Sequence, residues 1–450
     1  MIYRLGDDEE LTDAKLAEFI AEHDKEVTCR LKDLQRAYNT DYPIFQQADK
    51  PKWKPDNRIA VNFAKYIVDT MNGFFAGHPV KTIVDDGNDT IEKYVELVDQ
   101  YNDMDDKNAE LAKICSIYGR GYEMYYVDET GEIGITYLDP MESFMIYDDS
   151  VLQRELYFVR LYKDKHDVLH GSISDDESVR WFTQKGQIVW GAKEHRHGFD
   201  GVPATEYVEN EEQLGIFEPV LSMINAYNKA ISEKANDVDY FADAYLKILG
   251  AKLGDDDVKH IRDDRVINFE GDTEKLIVDF LQKPNGDTTQ EHLIDRLEKL
   301  IFQVSMIANM SEENFGTSSG IAMRYKMLAM SNLEKTKERK FASGMNRRYK
   351  LIFSNPVSGM RADDWIKVHP HFTPNFPANV QEEAQIARDL DGIVSQDTQL
   401  SVLSIVDNVA KEIEKMQADD QKRKEDIVTN RMFGGIGGIG DGEEDEGNDQ

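Results

Sequence analysis

Apolar residues recur at helical spacing along most of this chain, and the breaks in that pattern divide it into segments. Leu16, Phe19, Ile20, Val27, Leu31, Leu34 and Tyr38 fall three, four or seven apart behind Thr12 and Asp13, which predicts a capped first helix. A linker through Pro43, Pro51 and Pro55 leads to a second helix predicted over residues 57–80, brought to an end by Gly73, Gly77 and Pro79. From residue 122 to about 190 the pattern changes to short β-branched and aromatic runs at 122–127, 133–138, 143–147, 156–162, 179–183 and 187–190, separated by Gly and Asp turns. These runs predict a largely antiparallel sheet beside helices, an α+β fold.

Beyond Gly215 the pattern becomes rod-like. Phe217, Val220, Leu221, Ile224, Ile231, Ala235, Val238, Ala242, Tyr245 and Leu249 keep a three/four alternation, and a helix of that length extends about 50 Å at 1.5 Å per residue. Residues 250–287 form a small insert with strand-like runs at 266–269 and 276–281, closed by Pro284, Asn285, Gly286 and Asp287. A second rod opens at a capping box, Thr288 with Glu291, and carries Leu293, Leu297, Leu300, Val304 and Ile307. The matching stripes predict that the two rods pack as an antiparallel pair with the insert as a knob. A flexible polar loop follows: Asn309, Ser311, Glu312, Glu313, Asn314, Phe315, Gly316, Thr317, Ser318, Ser319 and Gly320. Later come a strand-like piece at 366–372, a joint at Pro370, Pro374 and Pro377, and helical patterns at 380–390 and 400–416. The stretch 434–450, with six acids and repeated Gly, is expected to be disordered.

Charge changes the picture most between residues 321 and 352. Nine basic residues, Arg324, Lys326, Lys335, Lys337, Arg339, Lys340, Arg347, Arg348 and Lys350, face two acids, Glu334 and Glu338, in a protein whose net charge is −33. Met323, Met327, Met330, Phe341 and Met345 give the segment helical spacing, so the charge sits on one long amphipathic rod. A basic rod in an acidic body needs a partner, and the rest of this protein or a neighbouring copy comes ahead of direct nucleic-acid contact, because charge runs usually serve a solvated or intramolecular face. The acidity argues against a protein gripping nucleic acid over its whole surface, though a negative wall would let DNA slide past without sticking.

At 450 residues the chain is too long for one compact core, so two or three cooperating domains are expected. No apolar run approaches the ~20 residues of a membrane span. The N-terminus has no signal-like apolar region, and two isolated cysteines, Cys29 and Cys115, fit a reducing cytoplasm. Gly435-Ile-Gly437-Gly-Ile-Gly440 matches a dinucleotide fingerprint in letters but has no preceding strand or following helix, and no P-loop motif occurs. His195 with His197, and His369 with His371, lack a third ligand at metal-binding spacing. The acidic clusters at 85–86, 255–257 and 263–264 do not follow calcium-loop order and read as turns. The methionines at 306, 310, 323, 327 and 330 read first as core filling. No cofactor, metal or catalytic group is expected; the competing class is an acidic, metal-dependent phosphoryl-transfer enzyme built on the Asp/Glu clusters.

The order of parts resembles a known family. Residues 57–80, the strand pair around Tyr137-Leu-Asp-Pro-Met-Glu-Ser-Phe-Met-Ile-Tyr-Asp148, the rod-knob-rod over 217–307 and Ser318-Ser-Gly-Ile-Ala-Met-Arg-Tyr-Lys326 opening a basic helix are together similar to the portal proteins of tailed bacteriophages, in the group typified by siphophages of Gram-positive hosts. That resemblance implies a ring, usually of twelve subunits, at one capsid vertex, through which double-stranded DNA is packaged, retained and ejected. It implies a wing (1–216), stem helices (217–249 and 288–308), a clip (250–287), a DNA-facing tunnel loop (309–320), a long helix (321–355), a return strand to the wing (356–377), a crown (378–432) and an acidic tail (433–450). The partners implied are other copies, DNA without sequence preference, terminase, head-completion or adaptor proteins, and capsid and scaffolding proteins. The implied location is the virion, with host cytoplasm during assembly and no membrane. Two features depart from the pattern: the tunnel-loop segment carries Glu312 and Glu313 but no Lys or Arg, so Asn314, Phe315 and hydroxyls would meet DNA, and the crown is short. A phage scaffold or adaptor without a channel is the third reading.

Overall fold

The computed structural model describes residues 2–6, 8–52, 54–85, 89–242, 246–249, 277–280, 287–310, 320–376, 380–403, 405–406 and 409–433. They fall into two compact units that divide after Asn375. Both helices and sheets are present, so the chain is α+β.

The first unit opens with strand β1 (Tyr3–Leu5) and helix α1 (Asp13–Glu26). Thr12 caps α1, its hydroxyl accepting the Lys15 N–H at 3.2 Å. The helix continues through a π-helical turn (Val27–Leu31) into α2 (Lys32–Tyr38), so the predicted first helix is continuous but locally widened. The second predicted helix is shorter than its apolar pattern: α3 spans Phe63–Phe75, capped by Asn62, and residues 57–61 run outside the helix. Their N–H groups are drawn instead to polar side chains of a later helix.

β2 (Lys81–Val84), α4 (Asp89–Asn102) and α5 (Met104–Tyr118) follow, none of them predicted. The strands are β3 (Arg120–Val127), β4 (Ile133–Leu138), β5 (Ser143–Asp148), β6 (Glu155–Lys163), β7 (Leu169–Ser174), β8 (Ser178–Lys185), β9 (Gln187–Arg196) and β10 (Ala204–Val208). The predicted runs recovered all but β7 and β10. β7 lacks the usual signal because Gly171 leaves room for the Phe182 ring, which lies 2.3 Å from where a Cβ would stand.

Six strands form one sheet in the order β1-β5-β6-β7-β8-β9, antiparallel except for β1 beside β5; β10, β3 and β4 form a second, antiparallel sheet. One face of the large sheet packs Phe144, Ile146, Val159, Leu161 and Phe182 against Leu16, Phe19 and Ile20 of α1. On its other face Met145 and Phe158 meet Tyr122, Val202 and Ala204 of the small sheet.

A 3-10 turn (Glu218–Val220) leads to α6 (Leu221–Ala242), after which β11 (Leu246–Leu249) pairs antiparallel with β12 (Ile277–Phe280). The first rod is therefore 22 residues, about 33 Å rather than about 50 Å. The end of the predicted rod, residues 246–249, is a strand instead, while residues 243–245 lie outside the described residues. The second strand-like run contains β12, while the run at 266–269 lies outside the described residues.

The second rod, α7 (Asp287–Ser305), packs against α6. Gln290 and Glu291 meet Asp237 and Lys234, whereas Phe302 and Tyr227 both pack on Phe63, so the helices run antiparallel as predicted. The predicted face is rotated, however. Ile294 and Ile301 are buried, whereas Leu293 is 52% and Val304 43% exposed.

The basic segment is two helices, α8 (Gly320–Lys326) and α9 (Leu328–Ser354), with the backbone leaving helical values at Met327 (φ −90°, ψ 0°). The apolar period of Met323, Met327 and Met330 runs unbroken across this break, so spacing carried no sign of it. The strand-like piece predicted at 366–372 is present as β13 (Val368–His371), antiparallel to β2. Around α9 lies the main core, with Phe75, Leu111, Tyr207, Phe341, Met345, Tyr349, Ile352 and Phe372.

The second unit holds α10 (Val380–Asp389), α11 (Gln396–Leu400) and α12 (Val409–Phe433). The helix predicted at 400–416 is thus displaced: α11 ends at Leu400, and the three-residue apolar spacing of Leu400, Leu403, Val406 and Val409 simply continues across the turn. Residues 434–450 lie outside the described residues. Among the described residues, no helix is long and apolar enough to cross a membrane.

Candidate functional site

Helix α9 is the centre of the charge arrangement. Its buried face reads Met330, Glu334, Lys337, Phe341, Met345, Arg348 and Ile352, with charged and apolar residues sharing one stripe at three and four spacing. Amphipathic reasoning assigns the charges to solvent; the structure places three of them inside.

Arg348 is fully buried and grips Glu123 of β3 with both arms of its fork: Nε and Nη2 donate to the two carboxylate oxygens at 2.8 Å each. Nη2 also donates to Asn108 Oδ1 at 2.7 Å, and the hydroxyls of Tyr125 and Tyr207 donate to Glu123 at 2.7 and 2.9 Å. Burial is the largest influence and opposes the guanidinium charge, but Glu123, Tyr207 and Tyr349 together outweigh it and hold Arg348 protonated well above its ordinary value.

One stretch earlier on the helix, the Lys337 ammonium donates to Ala112 O at 2.9 Å, to Ser116 Oγ at 2.6 Å and to the Glu209 carboxylate. All three of its protons are therefore used, and it lies 5.3 Å from the centre of the Phe75 ring. At the margin, Arg347 pairs with Glu155 at 3.1 Å and Lys340 with Glu211. Lys335 pairs with Glu338 in its own helix. Arg324, Lys326, Arg339 and Lys350 are exposed. For Lys337, Lys340, Arg347 and Arg348 the partner of the basic helix is this chain itself.

Glu334 is the exception within the stripe. Its side chain is fully buried, neither oxygen has a hydrogen-bond partner, and the nearest cation, Lys335, is 3.8 Å away. Burial, with a smaller contribution from Glu338, pushes its carboxyl up to about 7.

Of the predicted DNA-facing loop, residues 311–319 lie outside the described residues. Its two ends are placed: Asn309 precedes Met310, whose N–H donates to Tyr66 Oη of α3 at 2.9 Å, and Gly320 opens α8.

Two features escaped the sequence reading. Along α6, Asn228, Ser232 and Asn236 stand one turn apart and accept the N–H groups of Val61, Ile59 and Asn57 at 2.8, 2.9 and 2.6 Å. Four helical residues rise about 6.0 Å and two extended residues about 6.6 Å, so the two periods run in step. The polar i, i+4 series on α6 was the available signal. In the second feature, Arg30 on the π-helical turn binds Glu218 through Nε and Nη2, each at 2.7 Å, and Arg120 binds Glu26 at 2.7 Å, tying the first helix to the entry of α6. Glu26 and Arg30 border a cavity of about 350 Å³, lined also by Lys25, Cys29, Glu212, Gln213 and Leu214.

The candidate metal residues do not converge. His197 accepts the Phe199 N–H at Nδ1 and donates from Nε2 to the Asp175 carbonyl, each at 3.1 Å, which fixes a neutral tautomer; burial lowers its pKa. His195 packs edge-on to Trp181, and His369 meets Asp85 at 2.9 Å. Among the described residues, no group of three or more His, Cys, Asp or Glu is poised to hold a metal ion.

Comparison with known proteins places this arrangement in a family. Residues 17–426 match the family model described as phage portal protein, SPP1 Gp6-like. A portal protein of Clostridium phage phiCD119 is 24% identical over 410 residues, covering 84% of this chain and 88% of that protein. The chain belongs to the phage portal protein family.

Proposed function

We propose that this portal-family chain assembles into a cyclic oligomer with a central channel for double-stranded DNA at one capsid vertex, serving packaging, retention and ejection. In this reading residues 1–216 form the wing, α6 and α7 the stem, 250–287 the clip that docks terminase and head-completion proteins, 309–320 the tunnel loop and 378–432 the crown. The role is structural rather than catalytic.

The observation that carries the reading is the two-sided character of the stem pair. Ile294 and Ile301 of α7 face inward, yet Leu293 and Val304, with Val238 of α6 at 62% exposure, leave a further apolar surface outside. A helix pair with apolar residues on both sides is half of a larger bundle, and a head-to-tail neighbour would complete it by a heterologous interface that closes into a ring.

Electron-microscopic imaging of the purified chain tests this directly: rings with a central hole are expected. The double variant L293K/V304K should stay folded and remain unassembled, since both side chains already face solvent in the single chain. Solid assemblies without a hole would favour a scaffold or adaptor role, and a wild-type chain that stays monomeric at all concentrations would refute the ring.

A further inference from the structure

The large sheet has an outer face, turned away from α1, whose residues are aligned by strand register. Arg160, Ser172 and Trp181 stand opposite one another across β6, β7 and β8. The next rung is Tyr162, His170, Thr183 and Val189, reaching β9. The β5–β6 end of this face is covered by the small sheet through Met145 and Phe158, whereas Tyr162, Trp181 and Val189 are 44%, 42% and 60% exposed.

These side chains are ordered against one another. His170 stacks on Tyr162 at 5.2 Å and 15°, with its Nε2 3.2 Å from Asp164, and Trp181 is held edge-on to His195 at 5.3 Å. The Arg160 guanidinium lies 5.5 Å from the Tyr162 ring centre. Its Nε is buried without a hydrogen-bond partner, and among the described residues no carboxylate pairs with it. An arginine lacking an acceptor in a protein with 86 acidic against 53 basic residues is a mismatch within the chain. Tyrosine, tryptophan and arginine on one pre-ordered surface are also the side chains in which interface binding energy concentrates.

We infer that this face is a docking surface for a second copy of the chain, with Arg160 receiving a carboxylate from that copy and Trp181 and Tyr162 forming the apolar centre of the contact. Charge selects the occupant: the excess of carboxylates makes the surface of another copy predominantly acidic, which supplies the acceptor Arg160 lacks. The inference rests on the ring reading and adds to it a particular subunit contact in the wing.

Hydroxyl-radical footprinting of the full-length wild-type chain, read by mass spectrometry beside native mass, tests it. In the assembled form, modification of Trp181 and Tyr162 should fall about fivefold relative to dilute monomer. R160E should weaken association about tenfold or more, the loss of an interface anchor worth over about 1.4 kcal/mol, with the monomer's unfolding transition unchanged. If the chain assembles while Trp181 and Tyr162 are modified at the monomer rate, the docking face is refuted and the ring stands. If no association occurs, both fall. Protection appearing only when another phage protein is added would overturn the second copy as occupant.

Discussion

Arg348 on α9 and Glu123 on β3 meet side by side inside the core, two parallel N–H···O contacts of 2.8 Å joining residues 225 positions apart. A buried ion pair is expensive to desolvate and holds only when its remaining hydrogen-bonding capacity is met. Tyr125, Tyr207 and Asn108 meet most of it here. The pair therefore sets where α9 sits on the small sheet, because only one helix register lets the fork reach.

R348A should lose about 3–5 kcal/mol of stability, the cost of leaving Glu123 charged, buried and unpaired. R348K keeps the charge but cannot form the two-armed contact, and should also be clearly destabilised. Urea unfolding of the two variants measures this; an R348A midpoint equal to wild type would show that the pair contributes nothing net.

Gly344 sits on the buried face of α9, and an added Cβ would come 2.5 Å from Tyr207 Cε1. Helix propensity alone would favour G344A by about 1 kcal/mol. The close approach should reverse that sign and destabilise by about 1–3 kcal/mol, through strain on the ring whose hydroxyl serves Glu123. A G344A protein more stable than wild type would mean the helix can shift without loss.

The ladder between residues 57–61 and α6 predicts slow amide exchange at Asn57, Ile59 and Val61, although these residues lie in no helix or strand. S232A removes the acceptor for Ile59 and should cost about 1–3 kcal/mol for an orphaned N–H. Hydrogen exchange resolved to single residues is the check. Fast exchange at all three positions in the wild type would show that water, rather than α6, serves those groups.

Glu334 gives the stability a pH dependence of unusual sign. Its folded carboxyl titrates near 7, above the ordinary 4.5, so between those values the folded chain holds a proton the unfolded chain has released. Its contribution is fully present below the unfolded value, declines as pH rises through that window, and stays lost above it. Relative to wild type, E334Q should gain about 2–3 kcal/mol in going from about pH 4 to about pH 8. A constant difference across that range would place the carboxyl's titration where it lies in the unfolded chain.

Sequence alone determined the elements whose signal is local. The period of 3.6 at residues 16–38 and in the two rods, the period of two in six of the strands, and the cap at Thr12 follow from backbone geometry and short-range hydrogen bonding, so they survive without knowledge of neighbours. The same information located the basic segment and, through the succession of parts, pointed to the family.

Only the tertiary structure decided which face of each element is inside. Leu293 and Ile294 are equally apolar neighbours on α7, and nothing in their order says which one α6 will cover. Residues 57–61 have a helical apolar pattern but are held outside a helix, because a polar row on α6, some 170 residues later, competes for their N–H groups. Lys337 and Arg348 carry full charges that belong in water until Glu209 and Glu123 are brought up by folding. Burial and long-range pairing are properties of two surfaces meeting, and a single chain segment encodes only one of them.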